Sequence, residues 1–252
     1  MNEDELSRKR FLELSEKSYR TNQFTFTRFL NMNEISILYE MERKLSSGFV
    51  LFGGNKEAER VVARFGDPEE LGYEQPFPIV CIHIATLQKK PNETLGHRDY
   101  LGALMNLGIE REMLGDIYLS GADAYVMCLE QMAPYIVEQL GNVRHTYVKC
   151  EIMSEIPDVV VQEKIPATIQ LASERIDGVV SKTFHLSRSE SIQLFTQKKV
   201  FVNGRLCQNN SYHVKEKDLI SVRGQGRVIC DSISGMTKKG KLIMNVLLFG
   251  QR

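Results

Sequence analysis

The side chains of this sequence best suited to bind a ligand are cations near its C-terminal end. Between Arg175 and Arg252 there are 14 Lys and Arg residues and 5 Asp and Glu residues, a net charge of +9. The whole chain contains 32 Lys and Arg residues and 32 Asp and Glu residues. The preceding 174 residues therefore have 18 cationic and 27 anionic side chains, a net charge of −9. A cationic segment joined to an anionic body predicts contact with nucleic acid, since neutralised phosphates release their counterions.

Twelve residues of this segment are candidates for contact with RNA. They are Arg175, Lys182, Ser187, Arg188, Lys198, Lys199, Asn203, Arg205, Arg223, Lys238, Lys239 and Lys241. The last three lie in the predicted loop of a hairpin, where lysines either contact phosphates or keep the loop solvated. Beside a cationic face we favour phosphate contact.

Local signals place these candidates where helices and strands begin or end. Ser187 and Glu190 have the spacing of a capping box, so a helix is predicted to begin at Arg188, where free backbone N–H groups favour an anion. Asn203-Gly204 predicts a tight type I′ turn. The other predicted elements are a helix over residues 174–182, strands over Val200–Val202 and Leu219–Val222, and a closing hairpin of residues 228–232 and 242–248.

This order of elements resembles the S4 RNA-binding domain. The resemblance rests on Arg175-Ile176-Asp177, Ser187-Arg188-Ser189, Val200-Phe201-Val202-Asn203-Gly204 and Asp218-Leu219-Ile220-Ser221-Val222. It implies that a two-helix face contacts structured RNA. That family often has glycine where Lys198 and Lys217 stand, so both lysines would be modestly strained if these sites need a positive φ. The alternative is a basic domain that packs on another protein.

The middle of the chain predicts a second domain with a different plan. Residues 76–155 read as β-α-β-β-α-β, the ferredoxin-like order that RNA-recognition domains share. The aromatic motif with which those domains stack bases is absent, so the fold alone does not predict RNA binding. The predicted class is α+β, with an N-terminal α/β region (1–75), the ferredoxin-like domain (76–155), a structured connector (156–173) that includes Val159-Val160-Val161, and the S4-like domain with its closing hairpin (174–252).

The N-terminal region predicts helices, a short strand and a glycine turn. A helix is expected over residues 5–19, Asn33 is expected to cap a second helix, and Phe49–Phe52 is expected to be a strand. After Gly53-Gly54 a further helix is expected to begin at residues 55–60. Such a turn can hold a phosphate, but no P-loop sequence accompanies it, so a structural role is favoured.

One cluster raises the question of catalysis. His97, Arg98 and Asp99 are adjacent, and a histidine near a carboxylate can perform general acid–base chemistry. The cluster invites comparison with pseudouridine synthases, but their Arg-Leu-Asp signature and the rest of their catalytic domain are missing. Helix-cap and turn roles for Asp99, Gly102 and Gly108 are therefore favoured.

A wider resemblance covers nearly the whole chain. Gly53–Arg60, His97–Gly102, Leu107–Arg111 and Gly115–Ile117 are similar to the bacterial YlmH group of S4-domain proteins. The resemblance implies a non-enzymatic factor that contacts rRNA or tRNA on the large ribosomal subunit, with a role in the rescue of stalled nascent chains and a link to cell division. The alternatives are an RNA-modifying enzyme related to pseudouridine synthases and an interaction adaptor in cell division.

Composition and residue spacing narrow the classes of protein to which the chain can belong. No apolar run approaches the length of a membrane span, and the acidic start Met1–Glu5 is unlike a signal peptide, so a cytoplasmic location is expected. The five cysteines and five histidines are scattered without metal-binding spacing, so reduced thiols, no metal and no cofactor are expected. The acidic N-terminal body is a possible surface for a protein partner.

Overall fold

In the computed structural model, which describes residues 2–87, 95–157 and 163–250, the chain divides into two units. The first extends to Gln162 and the second comprises Glu163–Gln251. Helices and strands mix in both units, which confirms the predicted α+β class. The predicted boundary between residues 75 and 76 falls inside the first unit and stays a prediction.

The N-terminal part of the first unit packs helices against a small antiparallel sheet. Its elements are α1 (Glu3–Thr21), β1 (Thr25–Phe26), α2 (Met32–Met41), β2 (Phe49–Phe52), β3 (Val62–Phe65) and α3 (Pro68–Leu71). The strands pair in the order β1-β3-β2. Phe11, Leu38 and Phe65 are fully buried in the core that the helices and sheet share.

Two local predictions for this region are wrong. The N-cap of α2 is Asn31, not Asn33: the Asn31 side chain accepts the N–H of Glu34, and the Glu34 carboxylate accepts the N–H of Asn31. Residues 55–60 form turns rather than a helix. The Asn55 side chain accepts the N–H of Glu57, and Asp116 accepts the N–H of Glu59. Side-chain acceptors here replace the carbonyls of a helix.

The rest of the first unit is a five-stranded sheet with helices on one face. Its elements are β4 (Ile79–Thr86), α4 (His97–Asn106), β5 (Leu114–Ser120), β6 (Asp123–Leu129), α5 (Ala133–Gln139), β7 (Asn142–Val143) and β8 (Thr146–Ile152). All pairings are antiparallel in the order β5-β6-β4-β8-β7, and the first four strands have the ferredoxin-like arrangement that the sequence predicts. Ile82, Ile84 and Val126 pack against α4 and α5 in the core.

The second unit is built on a six-stranded antiparallel sheet. Its elements are β9 (Lys164–Leu171), α6 (Ile176–Thr183), α7 (Arg188–Thr196), β10 (Val200–Val202), β11 (Arg205–Leu206), β12 (Leu219–Val222), β13 (Gly226–Met236) and β14 (Leu242–Phe249). The strand order is β11-β10-β12-β13-β14-β9. Val179 and Val180 of α6 and Phe195 of α7 are buried among strand residues in a separate core.

Part of the predicted connector, Lys164–Leu171, is a strand of this second sheet. β9 pairs with β14 along its whole length, from Lys164 opposite Phe249 to Leu171 opposite Leu242. Pro166 is tolerated because β9 is an edge strand with one neighbour. Val159-Val160-Val161, predicted to be strand-like, lie outside the described residues.

Candidate nucleic-acid interface

The centre of the two-helix face is a buried carboxylate shared by two arginines. Asp177 in the first turn of α6 is fully buried. Arg175 donates to it from Nε (3.1 Å) and Nη2 (2.9 Å), and Arg188 in the first turn of α7 donates from Nη2 (3.3 Å). The Ser191 hydroxyl donates to the Asp177 carbonyl at 2.8 Å. One aspartate therefore ties the starts of both helices together and fixes two guanidinium groups.

The electrostatics of this cluster favour the charged forms. Burial alone would raise the pKa of Asp177, but hydrogen bonds and charge from Arg175 and Arg188 outweigh burial and lower it. The hydrogen bond to Asp177 raises the pKa of Arg175. Side-chain exposure is 33% for Arg175 and 67% for Arg188, so both retain N–H donors that face solvent and can meet a phosphate.

The start of α7 has the predicted capping box. The Ser187 hydroxyl accepts the N–H of Glu190 at 3.2 Å, and the Glu190 carboxylate accepts the N–H of Ser187 at 2.7 Å. Hydrogen bonds from Ser187 lower the pKa of Glu190. The predicted contact between Ser187 and RNA stays a prediction, because the described role of its hydroxyl is to hold the helix end that presents Arg188.

The end of α7 presents a second cationic group. The N–H of Lys198 donates to the Phe195 carbonyl and that of Lys199 to the Leu194 carbonyl, the two bonds of a Schellman motif. Lys198 has a φ of 54°, in the left-handed region that glycine favours. The N–H of Arg223 donates to the Lys199 carbonyl at 2.9 Å. Three candidate cations therefore meet where β10 begins and β12 ends.

The opposite end of β10 bears the turn residues. Asn203 and Gly204 have φ values of 49° and 77°, as a type I′ turn requires, and Arg205 follows them on an exposed position. The Asn203 amide donates to Asp218 at 2.8 Å and its oxygen accepts the N–H of Leu219 at 2.9 Å. Asn203 therefore holds the adjoining loop, and its contact with RNA stays a prediction.

The lysine turn, residues 237–241, closes the β13–β14 hairpin. The N–H of Thr237 donates to the Lys241 carbonyl at 2.7 Å, and Lys238, Lys239 and Lys241 are exposed. The hairpin ends where Leu242 pairs with Leu171, shortly before α6 begins. Lys182 is exposed in the last turn of α6.

Some of the residues predicted to contact RNA are therefore linked by hydrogen bonds, and others are related only by their positions in the sheet. Arg175 meets Arg188 at Asp177, and Arg223 is joined to Lys199 through the backbone. Within the described ranges, Lys182 and the lysines of the turn share no hydrogen bond or ion pair with either group. Lys199 and Asn203 flank β10 and are four residues apart, about 13 Å along an extended strand, so one RNA helix can reach both.

The residue that sequence reasoning missed is Asp177. An acidic side chain is not a candidate for contact with phosphate. The one signal in the sequence is that Asp177 lies two residues after Arg175, a spacing that allows an ion pair. A second residue of this kind is Asp218, which is buried and accepts from Asn203, the Tyr212 hydroxyl and the N–H of Lys215.

Within the His97–Asp99 cluster, Asp99 makes structural contacts. Asp99 accepts the N–H of Gly96 at 2.9 Å, which caps α4, and its other oxygen lies 3.5 Å from Arg144. Among the residues that the structure describes, no group of three or more His, Cys, Asp or Glu side chains is arranged to hold a metal ion. Of the helices that the structure describes, none combines the length and the hydropathy of a membrane span.

Comparison with known proteins places this interface in a family. Residues 73–156 match the family model YlmH_RBD, described as "Putative RNA-binding domain in YlmH", and residues 174–220 match the S4 domain. The ribosome-associated protein quality control protein P2 of Bacillus subtilis (strain 168) is 30% identical over 219 residues, which are 85% of this chain and 83% of that protein.

Two further similarities are partial. The small ribosomal subunit protein uS4 of Chromohalobacter salexigens is 42% identical over 60 residues, 23% of this chain and 29% of that protein. The solved structure of the cell division protein ylmH from Streptococcus pneumoniae is 23% identical, covers 61% of this chain and 92% of that chain, and has a TM-score of 0.49. The long match to the B. subtilis protein, with both domain matches in order, shows that the chain belongs to the YlmH family of S4-domain RNA-binding proteins.

Proposed function

We propose that this protein is a non-catalytic factor that docks on structured rRNA or tRNA of the large ribosomal subunit and acts in the rescue of stalled nascent chains. The observation that supports docking is the pair of arginines fixed by Asp177 on the two-helix face of the S4 domain. Guanidinium groups held in place lose little entropy on meeting a phosphate, so they favour a structured and defined RNA partner. The name of the B. subtilis relative supports the ribosomal setting.

The engagement of Asp99 supports a non-catalytic role. Its carboxylate is occupied by the α4 cap and by Arg144, so it is poorly placed to act as a general base. We propose in addition that the protein works in the cytoplasm, where ribosomes are, and that the acidic body turns toward a protein partner rather than toward phosphates.

The test is co-sedimentation with isolated large and small ribosomal subunits, followed by a crosslinking map of the bound RNA. We expect the full chain to sediment with the large subunit and to crosslink through the two-helix face. Arg188→Glu with Lys199→Glu should abolish both, whereas Lys17→Glu with Lys44→Glu, the same charge change on exposed positions of the first unit, should not. Equal sedimentation of both double variants would refute docking through the S4 domain.

Catalysis is tested by mapping modified nucleotides in the bound RNA. We expect no modification to depend on Asp99. A modified nucleotide that forms with the wild type and is lost with Asp99→Asn would refute the non-catalytic role.

A further inference from the structure

The sheet of the first unit has a face that its helices do not cover. Along β4, Ile82 and Ile84 point into the helix-covered core, so Cys81, His83 and Ala85 point to the opposite face. Part of that face is covered, because Cys81 packs with Phe29 and Val62 of the N-terminal region. Tyr125 packs at the margin of this cluster and the His83 side chain is 22% exposed, whereas Lys149 and Tyr147 on β8 are 65% and 64% exposed. We call the part beyond Cys81 the open face; it consists of His83, Ala85, Leu87, Asp123, Tyr125, Tyr147, Lys149 and Glu151.

The register places two aromatic rings side by side at the edge of the open face. His83 on β4 is paired with Tyr125 on β6, and their rings stack with centroids 4.7 Å apart and an interplanar angle of 14°. Asp123 accepts from His83 Nε2 at 3.2 Å and from the N–H of Thr86 at 3.0 Å. The ring stack is therefore held in place before any ligand arrives. β4 and β6 are the two central strands of the ferredoxin-like sheet.

The next rows of the open face are exposed and partly apolar. Ala85 pairs with Lys149 of β8, and the N–H of Leu87 donates to the Tyr147 carbonyl. Tyr147 on β8 is 64% exposed, and Leu87, which follows β4, is 60% exposed, so a ligand can reach both side chains. Ala85 leaves a shallow floor between these residues and the His83–Tyr125 stack.

The charges of the open face influence which planar ligands it can bind. Glu151 is paired across the strands with His83, and its Oε1 accepts from Lys149 at 2.5 Å. Its second oxygen has no hydrogen-bond partner among the described residues. With Asp123 nearby, two carboxylates oppose a continuous phosphate backbone. They suit instead the amino edge of a base, because carboxylates accept from exocyclic amines.

We propose that the open face binds an unpaired RNA base that has an exocyclic amine, stacked over Ala85 beside the His83–Tyr125 rings, with Glu151 accepting from the amine and Lys149 meeting the adjacent phosphate. Aromatic side chains on the central strands of such a sheet are a general way of binding single-stranded RNA. This site is separate from the S4 interface, reads a different form of RNA and does not rest on the function proposed above.

The chain contains no tryptophan, so one introduced on the open face is a specific reporter of stacking. We would measure the emission of full-length Tyr147→Trp during titration with octamers of oligoadenylate and oligouridylate and with an RNA duplex of equal length. Oligoadenylate should quench the emission at lower concentration than oligouridylate, because uracil has no exocyclic amine. The duplex should not quench. Tyr135→Trp, on α5 at the opposite face, is the matched control and should respond to none of them.

Variants in the Tyr147→Trp background separate this site from the S4 interface. Tyr125→Leu, or His83→Ala if the first fails to fold, should weaken oligoadenylate binding at least about fivefold, as the loss of one stacked ring does. Arg188→Glu with Lys199→Glu should leave the quenching unchanged. Quenching that Tyr125→Leu does not affect would overturn the proposal, and so would the absence of quenching with any RNA. Quenching with ribosomes but not with protein-free RNA would also overturn it, because the open face would then bind a protein.

Discussion

At the scale of single residues, the geometry of the candidate interface depends on an acidic side chain as well as on its cations. Asp177 is buried, its pKa is lowered by Arg175 and Arg188, and both guanidinium groups lose freedom by pairing with it. A carboxylate in an anion-binding site raises the local affinity when the geometry it imposes outweighs the charge it cancels. The sequence motif Arg175-Ile176-Asp177 contains this arrangement but does not reveal it, because the contact with Arg188 spans two helices.

Replacing Asp177 with asparagine should weaken RNA binding even though the protein gains one unit of positive charge. The arginines lose their common anchor, and we expect affinity for structured RNA to fall at least about threefold, with a loss of about 1–2 kcal/mol in the free energy of unfolding. Filter binding and urea denaturation measure the two effects. Tighter binding by Asp177→Asn would mean that net charge, and not geometry, governs the site.

The lowered pKa of Asp177 makes stability depend on pH in a defined direction. A carboxylate with a lower pKa in the folded state stabilises the fold above its unfolded pKa, about 3.9, and this contribution is lost as pH falls through the folded value. The midpoint of urea unfolding of the second unit should therefore fall more steeply from pH 5 to pH 3 in the wild type than in Asp177→Asn. Parallel curves for the two proteins would contradict the role of this carboxylate.

At the scale of elements, cationic residues occupy backbone positions that glycine would fill with less strain. Lys198 closes the Schellman motif of α7, and Lys217 has a φ of 68° before β12. The two lysines differ in surroundings, because Lys217 forms an ion pair with Asp231 at 2.5 Å while Lys198 lies beside Lys199 near Arg223. The strain at Lys198 is therefore consistent with a functional need for charge there.

Lys198→Gly should separate folding from binding. Relief of left-handed strain offsets the greater freedom of glycine in the unfolded chain, so the free energy of unfolding should stay within about 1 kcal/mol of the wild type or rise. The salt dependence of RNA binding should lose about one unit of slope. Lys217→Gly is the matched control with the same backbone change, and it should leave RNA binding unaltered. An equal effect of both substitutions on RNA binding would contradict the assignment of Lys198.

Some elements are predictable because their signals are local. The capping box at Ser187 and the turn at Asn203-Gly204 depend on neighbours within three residues, and both are confirmed. β9 was missed as a strand of the second unit because its partner, β14, lies more than seventy residues away. The open face was missed for the same reason: His83 and Tyr125 meet through strand register, which no spacing along the chain displays.

At the scale of the whole molecule, charge and fold divide at nearly the same place. The cationic segment begins near Arg175, while the second unit begins at Glu163 because β9 completes its sheet. Leu171 of β9 is buried in the core of this unit, so a division at residue 174 would remove a core side chain and leave β14 without its neighbour.

Fragments test this division. Residues 163–252 should fold and bind structured RNA at least as tightly as the full chain at low salt, because the acidic body repels phosphate over a Debye length of about 10 Å at 0.1 M. They should also discriminate less between RNAs. Residues 174–252 should be less stable or aggregate, and residues 1–162 should bind structured RNA poorly. Circular dichroism and filter binding check these outcomes, and tight duplex binding by residues 1–162 would contradict the account.

The central claim, that the S4 face holds structured RNA through phosphate contacts, is tested most directly by the salt dependence of binding. We would measure the affinity of the full chain for a structured ribosomal RNA fragment from 50 to 300 mM salt. Arg188→Glu with Lys199→Glu should weaken binding and flatten the slope by about two units, whereas Lys17→Glu with Lys44→Glu should leave the slope unchanged. If both double variants, or neither, reduce the slope, the RNA is not held by this face.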